Sequence, residues 1–437
     1  MEWYFAGALL VGMVIVLMVI GMPVALAFMT TNLVCSLLFM GGYAGLVQVV
    51  DNSTSQLTSF TLAPVPLFIL MGALFFHSGL AARVFDALDK LLGRLPGRLS
   101  YLTVLGGSLF STLTGSSMAN TAMLGSLMVP EMQRRGYNWR MTLGPILGTG
   151  GLAMIIPPSN LGVLLASIAR IDVGRLLVAG LIPGFLLATL YSAMIFVQVR
   201  MNPSGAPSYE LNKPTLREQL LSVSVNILPM GLVIFMVIGF IILGIATPSE
   251  AAAFGVFGVV ILAAIFQLLD WPILRKSFAA TVKVTGMVFL IIMNSAVFSQ
   301  LLSFSGASSG MLKWATGFGA PIVMMILLMW ATLLLLGMFM DPVSMMLISV
   351  PIFFPLAQAL GLSPIWFGIF VLLSLEMSGT TPPFGLLLFI MLGVAPKGTT
   401  LFQVASAALP FLICDAILIL LMIAFPEIVL FLPDLMR

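Results

Sequence analysis

Two Pro-Pro pairs interrupt long apolar stretches, reading IIPPS at residues 155–159 and TTPPF at residues 380–384. Proline lacks a backbone N–H and its ring clashes with the preceding turn, so each pair predicts a helix break. A break exposes N–H groups that attract anions and carbonyl groups that attract cations. The residues that could face a ligand there are Pro158, Ser159, Asn160, Thr380, Thr381 and Pro383. The alternative is a kink without a ligand, repacked by neighbouring helices.

A polar turn interrupts a second apolar region, in the sequence GGSLFSTLTGSSMANTAMLG at residues 106–125. Its neutral hydroxyl and amide groups belong to Ser116, Ser117, Asn120 and Thr121. Hard cations such as Na⁺ prefer oxygen ligands, and turn carbonyls can add more of them. The alternative is that small and hydroxylated residues only let helices pack closely.

Carboxylates appear at two further places in the apolar sequence. Asp341 lies in the turn at residues 337–344 and could bind a cation or carry a proton, since an intramembrane acid is costly to bury. Equally, Asp341 could cap the helix that begins at Pro342. Glu376 lies four residues before Thr380 and therefore on the same helix face, as an ion ligand, a proton carrier or a paired structural carboxylate. Asp415 lies in an apolar run and has no predicted role.

The elements that must position these residues are membrane helices. The chain has 437 residues, of which 60% are hydrophobic and 8% charged. Its apolar runs are continuous over about 20 residues, which favours helices over the alternating pattern of a barrel. Two cysteines in apolar runs do not indicate a disulfide framework. We therefore expect an all-α polytopic membrane protein, with no nucleic-acid partner.

Two pairs of segments are predicted to be re-entrant hairpins. The arms of the pair at 98–133 are each about 16 residues long, short of the roughly 20 that a full span needs. The pair at 321–360 has longer arms and, taken alone, could be two spanning helices. The Pro-Pro pairs then fall within two broken transmembrane helices, at 139–169 and 365–395.

The basic residues give the chain an orientation. With both hairpins re-entrant, 14 of the 18 Lys and Arg residues share one face, and the other four are Arg170, Arg175, Lys313 and Arg437. The first face is then cytoplasmic by the positive-inside rule. Both chain termini are predicted to be periplasmic.

The two halves of the sequence repeat with an offset of 225 residues. Adding 225 takes Pro23, Pro96, Pro130, Pro157 and Pro158 to other prolines. Five crossings separate the two hairpins, and because five is odd, the halves have opposite orientation. Interrupted helices at matching positions of an inverted-topology repeat indicate a secondary transporter's binding site.

This repeat predicts two units joined by a cytoplasmic linker. The first covers 1–200, with scaffold helices at 4–77, an amphipathic arm at 80–95, the first hairpin and the first broken helix. The linker covers 201–218. The second covers 219–437, with scaffold helices at 219–303, the second hairpin, the second broken helix and a last helix at 402–431.

Four motifs, in order, resemble the DctM-like large membrane subunit of tripartite ATP-independent periplasmic (TRAP) transporters: GSSMANTA, IIPPS, TPSEAAAFG and TTPPFG. The resemblance covers essentially the whole chain. It implies a bacterial cytoplasmic membrane, an elevator-type mechanism and Na⁺-coupled uptake of an organic acid, with Na⁺ as coupling ion and no other cofactor. It also implies two partners: a separate small four-helix membrane subunit and a periplasmic substrate-binding protein.

The resemblance also assigns residues to sites. One Na⁺ site would use Ser116, Ser117 or Asn120 with carbonyls near Gly148 and Thr149 and at the Pro157 break. Another would use Gly337 to Asp341 with Thr380 and Thr381. The substrate would bind between the tips, near a set comprising Ser117, Asn120, Thr121, Pro158, Ser159, Asn160, Thr381 and Pro383. The chain departs from the usual pattern at Phe384 and in the extra acid Glu376.

Other functions remain as alternatives. A stand-alone elevator-type carboxylate symporter or antiporter would have a similar architecture. An intramembrane zinc hydrolase is disfavoured because the chain has one His and no HExxH motif. A non-transporting scaffold subunit would have no use for matched polar breaks. C4-dicarboxylates, 2-oxo acids, sugar acids and sialic acids all fit as solutes.

Overall fold

The computed structural model describes residues 2–91, 95–114, 117–157, 159–207, 216–317, 319–383 and 385–436, which are α-helical and contain no strand. The helices before the linker are α1 (Trp3–Val19), α2 (Val24–Phe39), α3 (Tyr43–Leu57), α4 (Pro64–His77), α5 (Leu80–Leu91), α6 (Arg98–Thr114), α7 (Ser117–Arg134), α8 (Trp139–Gly151), α9 (Asn160–Ala169), α10 (Val173–Ala179) and α11 (Leu181–Met201). Those after it are α12 (Leu216–Ser222), α13 (Leu228–Ile242), α14 (Pro248–Ile265), α15 (Trp271–Phe304), α16 (Ala307–Gly317), α17 (Ile322–Gly337), α18 (Pro342–Ala359), α19 (Pro364–Thr380), α20 (Leu386–Val394), α21 (Leu401–Ala424) and α22 (Glu427–Leu435). Shorter 3₁₀ or π turns lie at Phe60–Leu62, Leu152–Met154, Pro203–Gly205 and Val223–Ile227.

Both predicted helix breaks are confirmed. Helix α8 ends at Gly151 and continues as one 3₁₀ turn, and α9 begins only at Asn160. Helix α19 ends at Thr380, and α20 begins at Leu386. The backbone therefore leaves helical geometry at each Pro-Pro sequence, as the missing N–H groups require.

The hairpin arms lie where the sequence predicts them. Helices α6 and α7 cover the first arms to within one residue and pack against each other. Helices α17 and α18 cover the arms of the second pair to within two residues and also pack against each other. Each pair also packs on a broken helix, α6 and α7 on α8, and α17 and α18 on α19.

Several predicted segments were wrong in extent. Helices α3 and α16 were not predicted, because both are short and rich in polar residues and so lack a long apolar run. Helix α15, within the predicted scaffold at 219–303, begins at Trp271 and is 34 residues long, which is longer than its apolar run because its first turns carry basic residues. The single helix predicted over 402–431 is instead α21 and α22, which meet at Phe425 and Pro426.

The helix bounds follow the 225-residue offset closely. Adding 225 to the ends of α7 gives 342 and 359, which are the ends of α18. The start of α8 maps to the start of α19, and α9 maps to within a residue of α20. Helix packing repeats too. The contact of α4 with α14 corresponds to the contact of α15 with α2 in the other half, and the contact of α7 with α20 corresponds to that of α18 with α9.

The chain is a multi-pass membrane protein. Six helical segments of the described chain are long and apolar enough to cross a bilayer, or seven if the pair α4 and α5, bent by 64°, counts as one. Helix α18 passes this test, whereas the 16-residue α17 is too short for it. Large apolar side chains are exposed on the outer surface, including Phe185, Phe257 and Leu335, as a lipid-facing surface requires.

The broken helices lie at the centre of the fold. Every residue from Trp366 to Thr380 in α19 is buried, and so is every residue from Met141 to Gly151 in α8. Non-helical backbone is tolerated at membrane depth when protein surrounds it. On the periphery, the α5 arm is tied to α6 by an ion pair of 2.7 Å between Asp89 and the buried Arg98.

Candidate functional site

The first hairpin tip is bonded directly to the first broken helix. Asn120 and Thr121 lie in the first turns of α7 and are fully buried. The side-chain amide of Asn120 donates a hydrogen bond of 3.1 Å to the carbonyl oxygen of Thr149, near the end of α8. The two sequence motifs thus meet. Ser116 and Pro158, which the sequence also nominated, lie outside the described residues.

Glycines at the end of α8 allow this close approach. A Cβ added to Gly150 would lie 2.0 Å from the hydroxyl oxygen of Thr121, and one on Gly148 would lie 2.7 Å from the Phe411 ring. Any side chain larger than hydrogen would push the tip away from the α8 backbone. The hydroxyl of Thr121 is buried and has no hydrogen-bond partner among the described residues. A neutral oxygen beside helix-end carbonyls is what a hard cation would use.

Ser159 already has two backbone hydrogen bonds. Its hydroxyl donates to the carbonyl oxygen of Met154 at 2.6 Å and accepts from the N–H of Gly162 at 3.0 Å. It therefore bridges the break and caps α9, which Asn160 begins. Thr149 donates its hydroxyl to the carbonyl of Pro145 at 2.6 Å, and its own carbonyl accepts from the N–H of Leu152 and from the side-chain amide of Asn120.

The second hairpin tip contacts the second broken helix through a glycine. A Cβ on Gly337 would lie 2.1 Å from the side chain of Ser378. Asp341 occupies the N-cap of α18, where its carboxylate accepts from the N–H groups of Val343 at 3.0 Å and Ser344 at 3.3 Å and from the Ser344 hydroxyl. The capping role is thus present, and a role in ion binding stays a prediction.

Carbonyl oxygens converge at the second break. The hydroxyls of Thr380 and Thr381 both donate back to the carbonyl of Met377, at 3.1 and 2.6 Å. A Cβ on Gly385 would lie 2.6 Å from the carbonyl oxygen of Gly379 and 2.8 Å from that of Thr381. Pro383 lies in the turn between them. Partial negative charge therefore collects at this helix end.

The two broken helices meet at Glu376, whose surroundings the sequence did not predict. A Cβ on Gly151 would lie 2.2 Å from the Glu376 side chain, so the carboxylate rests on the end of α8. The Tyr191 hydroxyl lies 2.5 Å from Asp415 and 3.4 Å from Glu376, and all three side chains are at least 98% buried. The second oxygen of Glu376 has no hydrogen-bond partner in the described chain.

This cluster can hold a proton between its carboxylates. A tyrosine hydroxyl has one hydrogen, so it can donate to Asp415 while accepting from a protonated Glu376. None of the ion pairs in the described residues involves either acid. The repeat offset could have revealed this contact. Tyr191 and Asp415 are 224 residues apart, close to the offset of 225, and lie on the corresponding helices α11 and α21.

A possible hydrolase motif has the wrong surroundings. The sequence GASSG at 306–310 matches the pattern GxSxG, but it opens α16 and no strand precedes it in the described chain. A nucleophile elbow needs a strand-to-helix turn. The single His, His77, is next to Ser277 at 3.3 Å instead.

Comparison with known proteins gives the family. Residues 11–428 match the family described as "Tripartite ATP-independent periplasmic transporter, DctM component". The chain is 33% identical over 379 residues to the C4-dicarboxylate TRAP transporter large permease protein DctM of Pseudomonas aeruginosa, covering 86% of each protein. It is 27% identical to the ectoine TRAP transporter large permease protein TeaC of Halomonas elongata, covering 98% of this chain and 99% of that one.

A solved structure has a similar fold. The Alcanivorax borkumensis YdaH transporter superposes with a TM-score of 0.65 at 15% identity, covering 88% of this chain and 90% of its own. At that identity the likeness concerns the fold alone. Both of the relatives described above are named as transporter permease subunits, not as enzymes. The chain therefore belongs to the DctM family, the large permease subunits of tripartite ATP-independent periplasmic transporters.

Proposed function

We propose that this chain is the permease of a Na⁺-coupled TRAP transporter that imports an organic acid. The observation that carries the proposal is the pair of matched helix breaks, each contacted by a hairpin tip, through Asn120 and Thr149 in the first half and Gly337 and Ser378 in the second. Paired helix ends of this kind can bind cations and an anionic solute together.

The two halves are related by an inverted repeat. The shared helix bounds support a repeat, and so does the contact between Gly151 and Glu376, which are counterparts at the 225-residue offset. Two equivalent positions touch each other when they lie on the twofold axis between the halves. The odd number of crossings between the hairpins and the bias of basic residues support the opposite orientation.

The oxygen groups at both tips fit Na⁺. In the first half the Thr121 hydroxyl has no hydrogen-bond partner among the described residues and lies against Gly150, which follows Gly148 and Thr149 in α8. The Ser117 carbonyl lies 3.6 Å from a Cβ built at the same glycine, and Ser117 is buried. In the second half the carbonyls of Gly379 and Thr381 converge, near Thr380 and the tip at Gly337 to Asp341. Bound Na⁺ would supply positive charge at these helix ends. The oxygen atoms of these residues would hold the Na⁺ and so orient the hairpin tips. Glu376 is the candidate for an additional ion or proton.

The solute is a carboxylate held between the tips. Relatives are named for C4-dicarboxylates and for ectoine, both of which carry carboxylate groups. No Lys or Arg lies at a tip or break, so the anion would be stabilised by helix N-termini, by bound Na⁺ and by neutral hydrogen-bond donors at the tips and breaks. These donors are Ser117, Asn120, Thr121, Ser159, Asn160 and Thr381. Ser117, Asn120 and Ser159 are at least 97% buried, so the tips must part to admit the solute.

Transport follows an elevator movement. The hairpins and broken helices form the moving unit, and the helices within 4–77 and 219–303 form a scaffold that holds the small membrane subunit. When Na⁺ and solute fill the site, less uncompensated charge is exposed to lipid during the movement. A periplasmic binding protein delivers the solute, and both chain termini face the periplasm of a bacterial cytoplasmic membrane.

Reconstitution tests the proposal. Proteoliposomes that contain this chain, its small subunit and its binding protein should accumulate the solute that the binding protein carries, and omission of either partner should abolish uptake. The alternative is a stand-alone elevator-type carboxylate symporter or antiporter, which would have a similar architecture. Uptake by this chain alone, at the rate of the full set, would establish that alternative.

A further inference from the structure

A polar cleft of about 440 Å³ lies away from the tips, between helices α3, α9, α15 and α18. Its polar lining consists of neutral amides and hydroxyls, among them Asn52, Ser299, Gln300, Ser303 and Gln358. Asn52 donates a hydrogen bond to Gln300 across the cleft wall and so holds α3 against α15. One charged residue lines the cleft, Arg170, and no described acid does.

Arg170 stands in an unusual backbone position. It ends α9 in the left-handed region, with φ 55° and ψ 43°, and its N–H bonds to the carbonyl of Ala166. Glycine or asparagine is the usual residue there, because a Cβ is strained in that region. An arginine in this backbone conformation is strained, so we expect its side chain to make a favourable interaction that offsets the strain. A favourable interaction with the helix C-terminus is one contribution, of about 0.3–1 kcal/mol.

Arg170 forms no ion pair with any described residue. Arg175, five residues later, pairs with Asp434 at 3.3 Å. The acid nearest to Arg170 in the sequence, Asp172, instead caps α10, and its carboxylate accepts from the N–H of Arg175 at 2.6 Å. The exposed Arg170 therefore shares the cleft with neutral amides and hydroxyls and with no described carboxylate, and its guanidinium suits an oxyanion with two coplanar oxygens.

The cleft is connected to the candidate central site by two helices. Helix α9 starts beside Ser159 at the first break and reaches Arg170 after ten residues, about 15 Å. Helix α18 starts beside Asp341 at the second tip and ends near Gln358. The cleft also separates α3 and α15 of the proposed scaffold from α9 and α18 of the proposed moving unit. Ligand sites prefer such domain boundaries.

We propose that this cleft is a second binding site, in which Arg170 and the surrounding amides take up a carboxylate of the solute before it reaches the tips. The inference rests on the proposed function for the identity of the anion and on the proposed orientation for its approach from the periplasm. Arg170 acts here as a capture residue and has no part in binding Na⁺. A lipid phosphate has similar chemistry, so the experiment must separate the two.

Cysteine protection tests the site without requiring transport. The Ser303→Cys variant places a thiol on the cleft wall. The native Cys35 and Cys414 are buried, so we expect little background labelling of the chain without the added cysteine. The labelling rate with a maleimide is measured in dodecyl maltoside, with succinate or with the uncharged succinamide added. Succinate should slow labelling and succinamide should not, because only the carboxylate pairs with the guanidinium.

Variants of Arg170 then assign the effect. Arg170→Asn keeps a residue that tolerates the left-handed backbone and should weaken succinate protection by about tenfold or more, the loss expected for a charge-assisted hydrogen bond. Arg170→Lys should keep most of the protection. Arg175→Gln, the matched control on an ion-paired arginine, should leave it unchanged.

Three results would overturn the inference. The first is that succinate does not protect Ser303→Cys in the chain with Arg170, and the second is that it protects the Arg170→Asn variant equally well. Alternatively, protection could appear only on adding phosphatidylglycerol and be indifferent to succinate, which would identify a lipid site. Because labelling is read without a Na⁺ gradient, failure of the proposed import would be seen separately, in the proteoliposomes.

Discussion

At the scale of single residues, the site depends on buried polar groups that satisfy backbone atoms freed by the helix breaks. Asn120 is the clearest case, since its amide is the partner of the Thr149 carbonyl at 3.1 Å and is fully buried. The Thr149 carbonyl also accepts from the N–H of Leu152, so loss of the Asn120 hydrogen bond costs about 0.5–1.5 kcal/mol. The Asn120 side chain therefore helps to hold the tip against α8.

Asn120→Ala should reduce solute uptake and raise the Na⁺ concentration for half-maximal uptake about tenfold, equivalent to roughly 1.4 kcal/mol of the lost hydrogen bond. Uptake is measured in proteoliposomes over a Na⁺ series. Ser126→Ala is the control, since that exposed hydroxyl on the same helix bonds only to the Met123 carbonyl at 2.8 Å. Equal Na⁺ dependence in both variants would remove Asn120 from the ion site.

Tyr191→Phe should destabilise the folded protein by about 1–3 kcal/mol, because it removes the hydroxyl that Asp415 contacts at 2.5 Å and leaves a buried carboxylate unpartnered. The free energy of unfolding in detergent is the measurement. Tyr43→Phe, on a side chain that is 80% exposed, provides the comparison. A loss no larger than in that control would show that the cluster does not stabilise the fold.

The candidate residues at tips and breaks could be predicted because polar groups are rare in an apolar sequence. Their hydrogen bonds could not, since Ser159 and Thr380 each have a backbone partner that depends on local geometry. The contact of Tyr191 with Asp415 was missed because it joins helices far apart in the chain.

At the scale of elements, both helix breaks and the four hairpin arms followed from proline positions and segment lengths. Helices α3 and α16 did not, because a helix packed on its neighbours needs no long apolar run. The division between α21 and α22 at Pro426 was overlooked inside a continuous apolar stretch. What the sequence could not give was the contact between broken helices at Gly151 and Glu376.

Gly151→Ala should abolish uptake and lower the melting temperature, because the new Cβ would lie 2.2 Å from the Glu376 side chain and force α8 and α19 apart. Gly231→Ala on α13 has nothing within 4 Å of the added Cβ and should keep full activity. Both are measured by uptake and by thermal unfolding. Wild-type behaviour of Gly151→Ala would show that the broken helices do not pack as described.

At the scale of the whole molecule, the repeat organises the chain. Matching helix bounds in the two halves follow from the offset that the prolines already display. The proposed membrane orientation rests on the basic residues, 14 of 18 of which share one face if both hairpins are re-entrant. The linker should then be cytoplasmic and the C-terminal helix should end in the periplasm.

Single cysteines test this orientation. The native cysteines are buried, and Ser204 and Asp434 are exposed, so each can carry a thiol reporter. In spheroplasts, a membrane-impermeant maleimide should label Asp434→Cys at once and Ser204→Cys only after lysis. Labelling of both before lysis, or the reverse order, would exclude the proposed topology.

Import is proposed to be driven by the Na⁺ gradient because the unwound helix ends hold Na⁺. The direct measurement is solute accumulation in proteoliposomes with all three components, at clamped membrane potential, under an inward gradient of Na⁺ or of K⁺. We predict accumulation against the solute gradient with Na⁺ and none with K⁺. Equal accumulation under the Na⁺ and K⁺ gradients would contradict the claim, and so would accumulation in the absence of any ion gradient.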